Sequence, residues 1–330
     1  MKPRISPFWW PLLIAASPAL APILIMQNSR FRRNAAEAER RNRRRLAETT
    51  PLELPELEFL ELTVLVEGKA ETEYLEDAGV SWLLRTDRGS LLFDVGFGPE
   101  RPALAHNAGK LGIGLSGIEA LAISHLHLDH MGGLAALRTG QVRLPSEMGR
   151  PSGQKCYLPA AAAADGFDCE VVTAPRVLAA GVAATGPLAR SIFFMGLTEE
   201  QALVARLKGK GLVVFTGCGH PGIGPILELV RRISAEPIYA VGGGLHFPIT
   251  EGRGNRAGVR LQMIMGTGKP PWRRITDRDL DSVIRVLNQA GPSKVFLSAH
   301  DSCDHALERL ESELAAETIV LKAGATYRIG

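Results

Sequence analysis

The 330-residue sequence predicts a mixed α/β (α+β) domain preceded by an apolar N-terminal segment. Three observations support this prediction. From about Glu58 onward, short β-prone runs alternate with amphipathic helical segments. An uncharged stretch, residues 8–26, precedes that domain. An array of three histidines and one aspartate within six residues follows a short apolar run, and such a concentration is rare by chance.

Composition limits the classes of protein to consider. With 45% hydrophobic and 22% charged residues, the chain can bury one large core or two small ones. The net charge of +3 is uneven, because eight arginines crowd into residues 30–45 and the rest of the chain is net acidic. The basic pI therefore says nothing about nucleic acid binding by the main domain, and no nucleic acid partner is expected. The arginine run could bind nucleic acid, but its position beside an apolar segment favours contact with anionic lipid.

The four cysteines show no C-x-x-C spacing, and a disulfide framework is not predicted. We expect reduced thiols. Cys156 and Cys169 could pair if the domain were exported.

The N-terminal region divides into three parts: a short tail (residues 1–7), a transmembrane anchor (8–26) and an arginine-rich tether (27–57), followed by a catalytic domain (58–330). Nineteen uncharged residues nearly reach the roughly 20 needed to cross a bilayer as a helix. The arginines after the segment predict a single-pass anchor with the catalytic domain in the cytoplasm. The alternative is a signal peptide with Lys2 and Arg4 as its charged start, cleaved after Ala19-Leu20-Ala21, and export of the domain.

Within the domain, apolar periodicity and turn residues predict the following elements. Strands are predicted over 59–66, 80–85, 91–95, 120–123, 212–216, 237–241 and 294–298, with closing strands at 319–321 and 327–329. Helices are predicted over 103–111, 199–207, 226–233, 277–290 and 305–315. Thr276 is a suitable N-cap for the fourth helix, and residues 251–274, rich in glycine and arginine, read as a long loop.

The histidine array, Ser124 to Gly133, follows the apolar run that ends at Ile123. His125 and His127 are two residues apart, so they project together from an extended segment toward one ion. Asp129 and His130 lie just beyond and can turn toward a second ion. Imidazole and carboxylate are ligands that zinc accepts, and iron and manganese also use them.

Other polar side chains occupy equivalent positions. Each lies at or just after the C-terminal end of an apolar strand, as the histidine array does: Asp94, His220, His246 and His300. Ligands and catalytic groups gather at such ends because the loops there can vary without disturbing the core. The sequence therefore predicts one site that collects residues from distant parts of the chain.

The H-x-H-x-D-H-x-G-G pattern of His125 to Gly133 resembles the signature of the metallo-β-lactamase fold superfamily. The resemblance extends from about Thr63 to about His300. It implies an αββα sandwich, in which two mixed β-sheets pack together with helices on both outer faces. It also implies a metal-dependent enzyme that acts on a small molecule.

Within that superfamily the sequence is most similar to the group of the archaeal dihydropterin–ribofuranosylaminobenzene phosphate synthase and related uncharacterised hydrolases. The similarity lies in several motifs: Leu91 to Gly96, Asn107-Ala108, Leu111-Gly112, Glu200 to Leu203, and above all Thr216-Gly217-Cys218-Gly219-His220-Pro221-Gly222. Hydrolysis of β-lactam antibiotics is not expected, because this last motif belongs to a different branch.

By motif, the resemblance assigns His125, His127 and His220 to one metal ion, and Asp129, His130 and His300 to a second. Cys218 stands where the superfamily usually has a bridging aspartate, so it can bridge the ions, lie behind the ligands, or simply pack. His246 matches a G-G-x-H motif of the group and is assigned a contact with substrate or with a ligand, the alternative being a structural histidine. Near His300, Ser298 to Cys303 depart from the group's P-x-H-C-T-G pattern.

The functional hypothesis is a membrane-anchored hydrolase of a small ester, lactone or phosphoester, which uses a hydroxide activated by two metal ions. Asp129 would orient the nucleophile, and Asp94 would fix the tautomer of a ligand histidine. Zn²⁺ is preferred, with Mn²⁺ or Fe²⁺ as alternatives. Two other functions stay open: a pterin-pathway transferase or synthase, and a non-catalytic metal-binding domain. Arg253, Arg256 and Arg260 could meet an anionic substrate or lie in solvent, and the sequence does not indicate an oligomeric state.

Overall fold

The computed structural model describes residues 3–252 and 255–330. The described chain begins with a 3₁₀ turn, Pro7–Trp9, and one long α-helix, α1, Trp10–Glu48. Pro18 and Pro22 lie inside α1, and the helix continues through both. The segments predicted as an anchor and a tether are therefore parts of one continuous helix as far as Glu48. Lys2 lies outside the described residues.

The rest of the described chain alternates strands and helices. The strands are, in chain order, β1 Glu56–Leu57, β2 Leu60–Val66, β3 Ser81–Thr86, β4 Gly89–Phe93, β5 Ala120–Ala122, β6 Gln141–Val142, β7 Lys155–Leu158, β8 Ala163–Ala164, β9 Asp168–Val171, β10 Arg176–Val177, β11 Ala183–Ile192, β12 Gly196–Leu207, β13 Gly211–Thr216, β14 Ile238–Gly243, β15 Asn255–Arg256, β16 Val259–Arg260, β17 Lys294–Leu297, β18 Glu317–Val320 and β19 Thr326–Arg328. The helices after α1 are α2 Ala103–Lys110, α3 Leu128–Met131, α4 Leu134–Thr139, α5 Ile223–Ile233, α6 Gln262–Met265, α7 Asp277–Ala290 and α8 Asp304–Glu313.

Two mixed sheets form the centre of the molecule. The first has seven strands in the order β19-β2-β3-β4-β5-β7-β9. The second has the order β10-β11-β12-β13-β14-β17-β18, with β1 paired to β12 as an eighth strand. Within each sheet the strands that carry the predicted site residues run in the same direction: β4 is parallel to β5, and β13, β14 and β17 are parallel neighbours.

The hydrophobic core has three layers. Between the sheets, Trp82 packs against Phe93 and Phe215, and Phe215 packs against Phe296. A second cluster lies between the eight-stranded sheet and helices α5, α7 and α8. A third covers the outer face of the seven-stranded sheet beneath α2 and its neighbouring loops. This αββα arrangement confirms the predicted fold class, and it fixes the strand ends that carry the site.

Most predicted elements are confirmed within one or two residues, and α7 matches its prediction, with a capping box between Thr276 and Asp279. The prediction of a helix over residues 199–207 is wrong, because these residues form part of β12. Glu199 to Leu203 are good helix formers, but β12 pairs with β11 on one side and β13 on the other. Tertiary pairing outweighs the local preference here.

The C-terminal half of α1 packs against the domain. Asn42 donates its side-chain amide to the Ala189 carbonyl (2.9 Å) and accepts from the Ala189 amide (2.7 Å). Arg41 and Arg45 both bind the Glu199 carboxylate, at 3.1 and 2.7 Å. These contacts hold the helix across the ends of β11 and β12.

The apolar half of α1 is largely exposed. Pro7–Glu48 is one helix that is long and apolar enough to cross a membrane, and its apolar window has no buried residue. At its start, the Ser6 amide donates to the Gly258 carbonyl (2.9 Å), and the Arg260 amide donates to the Arg4 carbonyl (2.9 Å). A helix of this kind is compatible with an anchor or with a signal sequence.

The loop predicted over 251–274 contains the short pair β15–β16 and the helix α6. Arg253 and the side chain of Arg256 lie outside the described part of the structure. The Arg260 guanidinium donates to the Thr250 carbonyl at 2.8 Å, so this arginine supports the loop.

Candidate metal centre

The predicted site residues converge at one edge of the two sheets. Asp94 follows β4, His125 and His127 follow β5, His220 follows β13, His246 follows β14, and His300 follows β17. The nine side chains singled out as candidate ligands or catalytic groups lie in this region. Eight of them, all but Asp94, form three groups, and within each group the ligand atoms are within 4.8 Å of one another. The first two groups are those assigned by motif.

The first group comprises His125, His127 and His220. His127 Nδ1 and His220 Nε2 face each other at 3.1 Å. Two nitrogens bound to one tetrahedral zinc ion, each about 2.0–2.1 Å from it, would be about 3.4 Å apart. His125 Nε2 is buried without any hydrogen-bond partner among the described residues. A buried nitrogen without a partner is costly, and a metal ion would satisfy it.

The second group comprises Asp129, His130, Cys218 and His300. The Cys218 sulfur lies 3.1 Å from His130 Nε2 and 3.2 Å from His300 Nε2. Asp129 Oδ2 is 3.8 Å from His130 Nε2, and its side chain keeps 27% of its surface exposed. The Cys218 sulfur thus lies next to the ring nitrogens of His130 and His300, where it could act as a metal ligand or as a bridge between two ions.

A third group links Cys218 and His220 to His246. Neither ring nitrogen of His246 has a hydrogen-bond partner among the described residues, and the same holds for Asp301 Oδ2. The Asp301 oxygen lies 3.6 Å from His246 Nδ1 and 3.8 Å from His300 Nε2. Asp301, which the sequence reasoning did not single out, is therefore a further candidate ligand or proton acceptor.

Asp94 and Ser124 orient two of the histidines. Asp94 Oδ2 lies 2.6 Å from His130 Nδ1, and a carboxylate only accepts, so Nδ1 carries the proton and Nε2 is free for a metal. The Ser124 hydroxyl donates to the same oxygen (2.6 Å) and accepts from His125 Nδ1 (2.9 Å). The backbone of Asp94 has φ 61°, a region that Asp and Asn tolerate better than most residues.

Glu67 and Ser298 orient His300, the other histidine of the second group. The Ser298 hydroxyl donates to Glu67 Oε1 and accepts from His300 Nδ1 at 2.5 Å, so His300 presents Nε2 to the site. Glu67 is fully buried and follows β2, at the same edge as Asp94. Sequence reasoning missed Glu67 and Ser298, although a polar residue after an apolar strand is the signal that identified Asp94.

Glu200 holds the turn that carries His220. Its two carboxylate oxygens accept from the Gly219 and His220 amides, both at 2.7 Å. The buried carboxylate lies on β12, and its backbone pairs with His125. His127 is held from the same strand, because its Nε2 contacts the Thr198 hydroxyl at 3.1 Å. One strand therefore positions all three members of the first group.

The two groups differ in protonation. Burial lowers the pKa of His125 and His220 well below 6.5, with neighbouring histidines adding to the effect, and it lowers that of His127 to about 4. Burial also opposes charge on His130, but the Asp94 and Asp129 carboxylates outweigh it and raise the pKa of His130 to about 9. The first group is thus neutral near pH 7 and ready to bind a cation.

The donor set fits two divalent ions. Four imidazoles have tautomers fixed by a partner on one nitrogen, with the other nitrogen directed into the cluster. This is the usual arrangement of metal-ligating histidines. Nitrogen, thiolate and carboxylate donors together suit Zn²⁺, and Fe²⁺ or Mn²⁺ accept the nitrogen and oxygen atoms.

Comparison with known proteins agrees with this geometry. Residues 75–140, which include the histidine array, match the family model of the Metallo-beta-lactamase superfamily. The chain is similar to the crystal structure of Tm1679, a metal-dependent hydrolase of the beta-lactamase superfamily. The TM-score is 0.57 with 23% identity, over 81% of this chain and 98% of that one.

Two further solved structures are similar at lower scores. The metallo-beta-lactamase fold protein YhfI from Bacillus subtilis has a TM-score of 0.49 and 15% identity, over 82% of this chain and 99% of that one. A diphosphatase from the PhnP family has a TM-score of 0.45 and 15% identity, over 81% and 97%. No curated protein matches the chain.

Proposed function

We propose that this chain, which has the metallo-β-lactamase fold, is a metal-dependent hydrolase of a small ester, lactone or phosphoester, attached to a membrane by α1. The family match and the structural similarity support its place in the metallo-β-lactamase superfamily. The observation that carries the proposal is the convergence of two ligand groups at one edge of the sheets. A purely structural zinc needs only one closed group of four. Tm1679, the similar solved structure, is described as a metal-dependent hydrolase, in agreement with the proposal.

We infer that His125, His127 and His220 would hold one ion, and that Asp129, His130 and His300 would hold the second, with Cys218 as a further candidate ligand. When bound, a pair of divalent ions lowers the pKa of coordinated water to about 7 and polarises the bond to be broken. The Asp129 carboxylate, partly exposed, is placed to accept a proton from the attacking water. Asp94 acts through His130, and His246, with two unpartnered nitrogens, is placed to contact substrate.

The test is replacement of both His125 and His127 by alanine. We expect the purified variant to lose bound metal and all turnover of generic phosphodiester, lactone and thioester substrates, while its circular dichroism spectrum stays unchanged. His305→Ala, a partly exposed histidine that pairs with Asp277 and belongs to none of the three ligand groups, is the matched control and should keep metal and activity. Hydrolysis by the double variant at the wild-type rate would refute the proposal.

Elemental analysis of protein purified without added metal distinguishes Zn²⁺, the ion we propose, from Mn²⁺ and Fe²⁺. Inclusion of a pterin pyrophosphate in the substrate panel tests the transferase or synthase function that the sequence motifs suggest. Metal binding without turnover of any substrate would favour a non-catalytic metal-binding domain.

A further inference from the structure

Two cavities meet beside the candidate metal centre. The first, here called the site cavity, has a volume of about 290 Å³ and is bordered by His220 and His246. The second, here called the helix groove, has a volume of about 430 Å³ and lies between α1 and the turn after His220. Arg190 and Gly268 border both cavities. A molecule at the metal centre can therefore extend past Arg190 into the helix groove.

Arg190 is a positive charge without a partner. It follows Ala189 near the end of β11, is accessible from the cavity, and forms no ion pair among the described residues. Lys269, which also borders the site cavity, is different, because Asp279 neutralises it through two contacts of 2.7 Å. Gly268 lies so close that a Cβ added there would be 3.2 Å from Arg190 Nε. The guanidinium can therefore pair with an anion in the cavity, which arginine does in a bidentate manner.

The helix groove is mainly apolar on the side of α1. Phe31, Ala35, Ala38 and Leu46 are spaced three, four or eight residues apart, so they share one face of the helix. Pro221, Pro225 and Glu228 border the groove on the other side. Glu39 and Arg43 of α1 also border it and pair with each other at 3.3 Å. The two alanines leave room between helix and turn. Two contacts fix the distance between α1 and β11. The Ser191 hydroxyl donates to the Phe31 carbonyl at 3.1 Å, and Asn42 bonds to Ala189.

We propose that the substrate is a single-chain anionic amphiphile, a phosphate ester whose phosphoryl group pairs with Arg190 beside the metal ligands and whose alkyl or acyl chain lies in the helix groove. This inference rests on the proposed hydrolase function and names its substrate class. The anion is held next to His220, so the charged group is the one that reacts. In the reaction the oxygen of water bonds to phosphorus, the phosphorus–oxygen bond to the alcohol breaks, and a water proton passes to the leaving alcohol.

The helix groove and the proposed membrane segment belong to the same helix. The helix that forms the groove wall from Phe31 to Leu46 carries exposed apolar residues in its first half, such as Ile14 and Ile25. A substrate chain in the groove therefore lies within a few helical turns of the proposed membrane segment. A freely diffusing, fully polar phosphate ester would gain nothing from this groove.

The experiment compares butyl and dodecyl 4-nitrophenyl phosphate, below the critical micelle concentration, with the full-length metal-loaded protein. Each buried methylene should lower KM by about three- to fourfold. Burial of only two of the additional methylenes of the dodecyl chain would therefore lower KM about tenfold relative to butyl, and we expect at least this difference. Ala35→Trp, which fills the groove, should remove this advantage, so that the KM for the dodecyl diester rises to that for the butyl diester. Ala36→Trp, one residue away on the exposed face, is the matched control and should change neither. Ala35→Leu serves as a milder variant if tryptophan lowers the melting temperature.

Arg190→Gln should raise KM for both phosphodiesters and leave a neutral nitrophenyl dodecanoate unaffected. Binding of dodecyl phosphate to the metal-free protein, measured by calorimetry, supplies a second readout that Ala35→Trp and Arg190→Gln should each weaken. Equal KM for the two chain lengths would overturn the inference while the hydrolase function stands. If no ester is turned over, the proposed function fails, and the calorimetric comparison alone decides whether the groove binds the amphiphile.

Discussion

At the scale of single residues, the site is organised by groups that do not themselves contact a metal. Asp94, Ser124 and Ser298 each contact one nitrogen of a histidine and so direct the other nitrogen into the cluster. Glu67 acts through Ser298, from which it accepts a hydrogen bond. Burial makes this effective, because these side chains have no competing water.

Replacement of Asp94 by asparagine should selectively weaken the second ion. Asparagine tolerates the φ of 61° and keeps the shape, but it removes the charge that faces His130 Nδ1. We expect the affinity of the second group to fall about 10–100-fold, with little change at His125, His127 and His220. Titration against a chromogenic chelator measures both affinities. Equal loss at both groups would contradict this assignment.

Uptake of the second ion should depend on pH. His130, with a pKa of about 9, is protonated at pH 7 in the metal-free protein, so the ion must displace a proton. The affinity of the second group should rise about tenfold per pH unit until about pH 9. The first group should show little change above about pH 6, because the pKa of His127 is about 4. Zn²⁺ titrations between about pH 6 and 8 test this, and Asp94→Asn should reduce the dependence.

At the scale of elements, the ends of the strands that carry the site were predicted from the sequence, but strand β12 was wrongly predicted as a helix. Residues after β4, β5, β13, β14 and β17 were identified because an apolar run followed by a polar residue is visible locally. The error at β12 has a different source. Its pairing partners lie elsewhere in the chain, and no local pattern reveals that Glu200 clamps the turn at His220.

The partners of the ligands could not all be predicted, for a related reason. In the sequence, nothing distinguishes Glu67 and Asp301 from the other acidic residues. Only the fold shows that they are buried beside His300. Arg190 carries no sequence signal, because the role proposed for it depends on the lack of an ion-pair partner among the described residues.

The docking of α1 depends strongly on Asn42. Its side chain makes two hydrogen bonds with Ala189, so Asn42→Ala should destabilise the docked helix by about 1–3 kcal/mol. Hydrogen exchange of residues 27–48 should become faster, while metal content stays unchanged. Arg44→Ala, an exposed residue on the same helix, should change exchange by less than about 0.5 kcal/mol. An unchanged exchange rate in Asn42→Ala would show that other contacts hold the helix.

At the scale of the whole molecule, the αββα sandwich carries the candidate metal centre at one edge of its sheets, and the helix α1 packs beside that edge. Insertion of residues 8–26 across a bilayer, with its hydrocarbon core of about 30 Å, would separate Arg4 and Ser6 from the loop at Gly258. The contacts described for the start of α1 therefore belong to the helix outside a bilayer.

Removal of residues 1–26 should release the protein from membranes and preserve turnover of short-chain substrates. The docked half of α1 and its contacts with Ala189 and Glu199 remain in this variant. Sedimentation after alkaline washing compares it with the full chain, for which we expect retention in the membrane pellet. Recovery of a mature chain that begins after Ala21, detected by mass spectrometry, would instead indicate signal cleavage and export.

Glu199 and Glu200 are neighbours on β12 and point to opposite faces, one toward the arginines of α1 and the other toward the turn at His220. A change in the backbone of β12 at this pair would therefore disturb both the docking of α1 and the turn that carries His220.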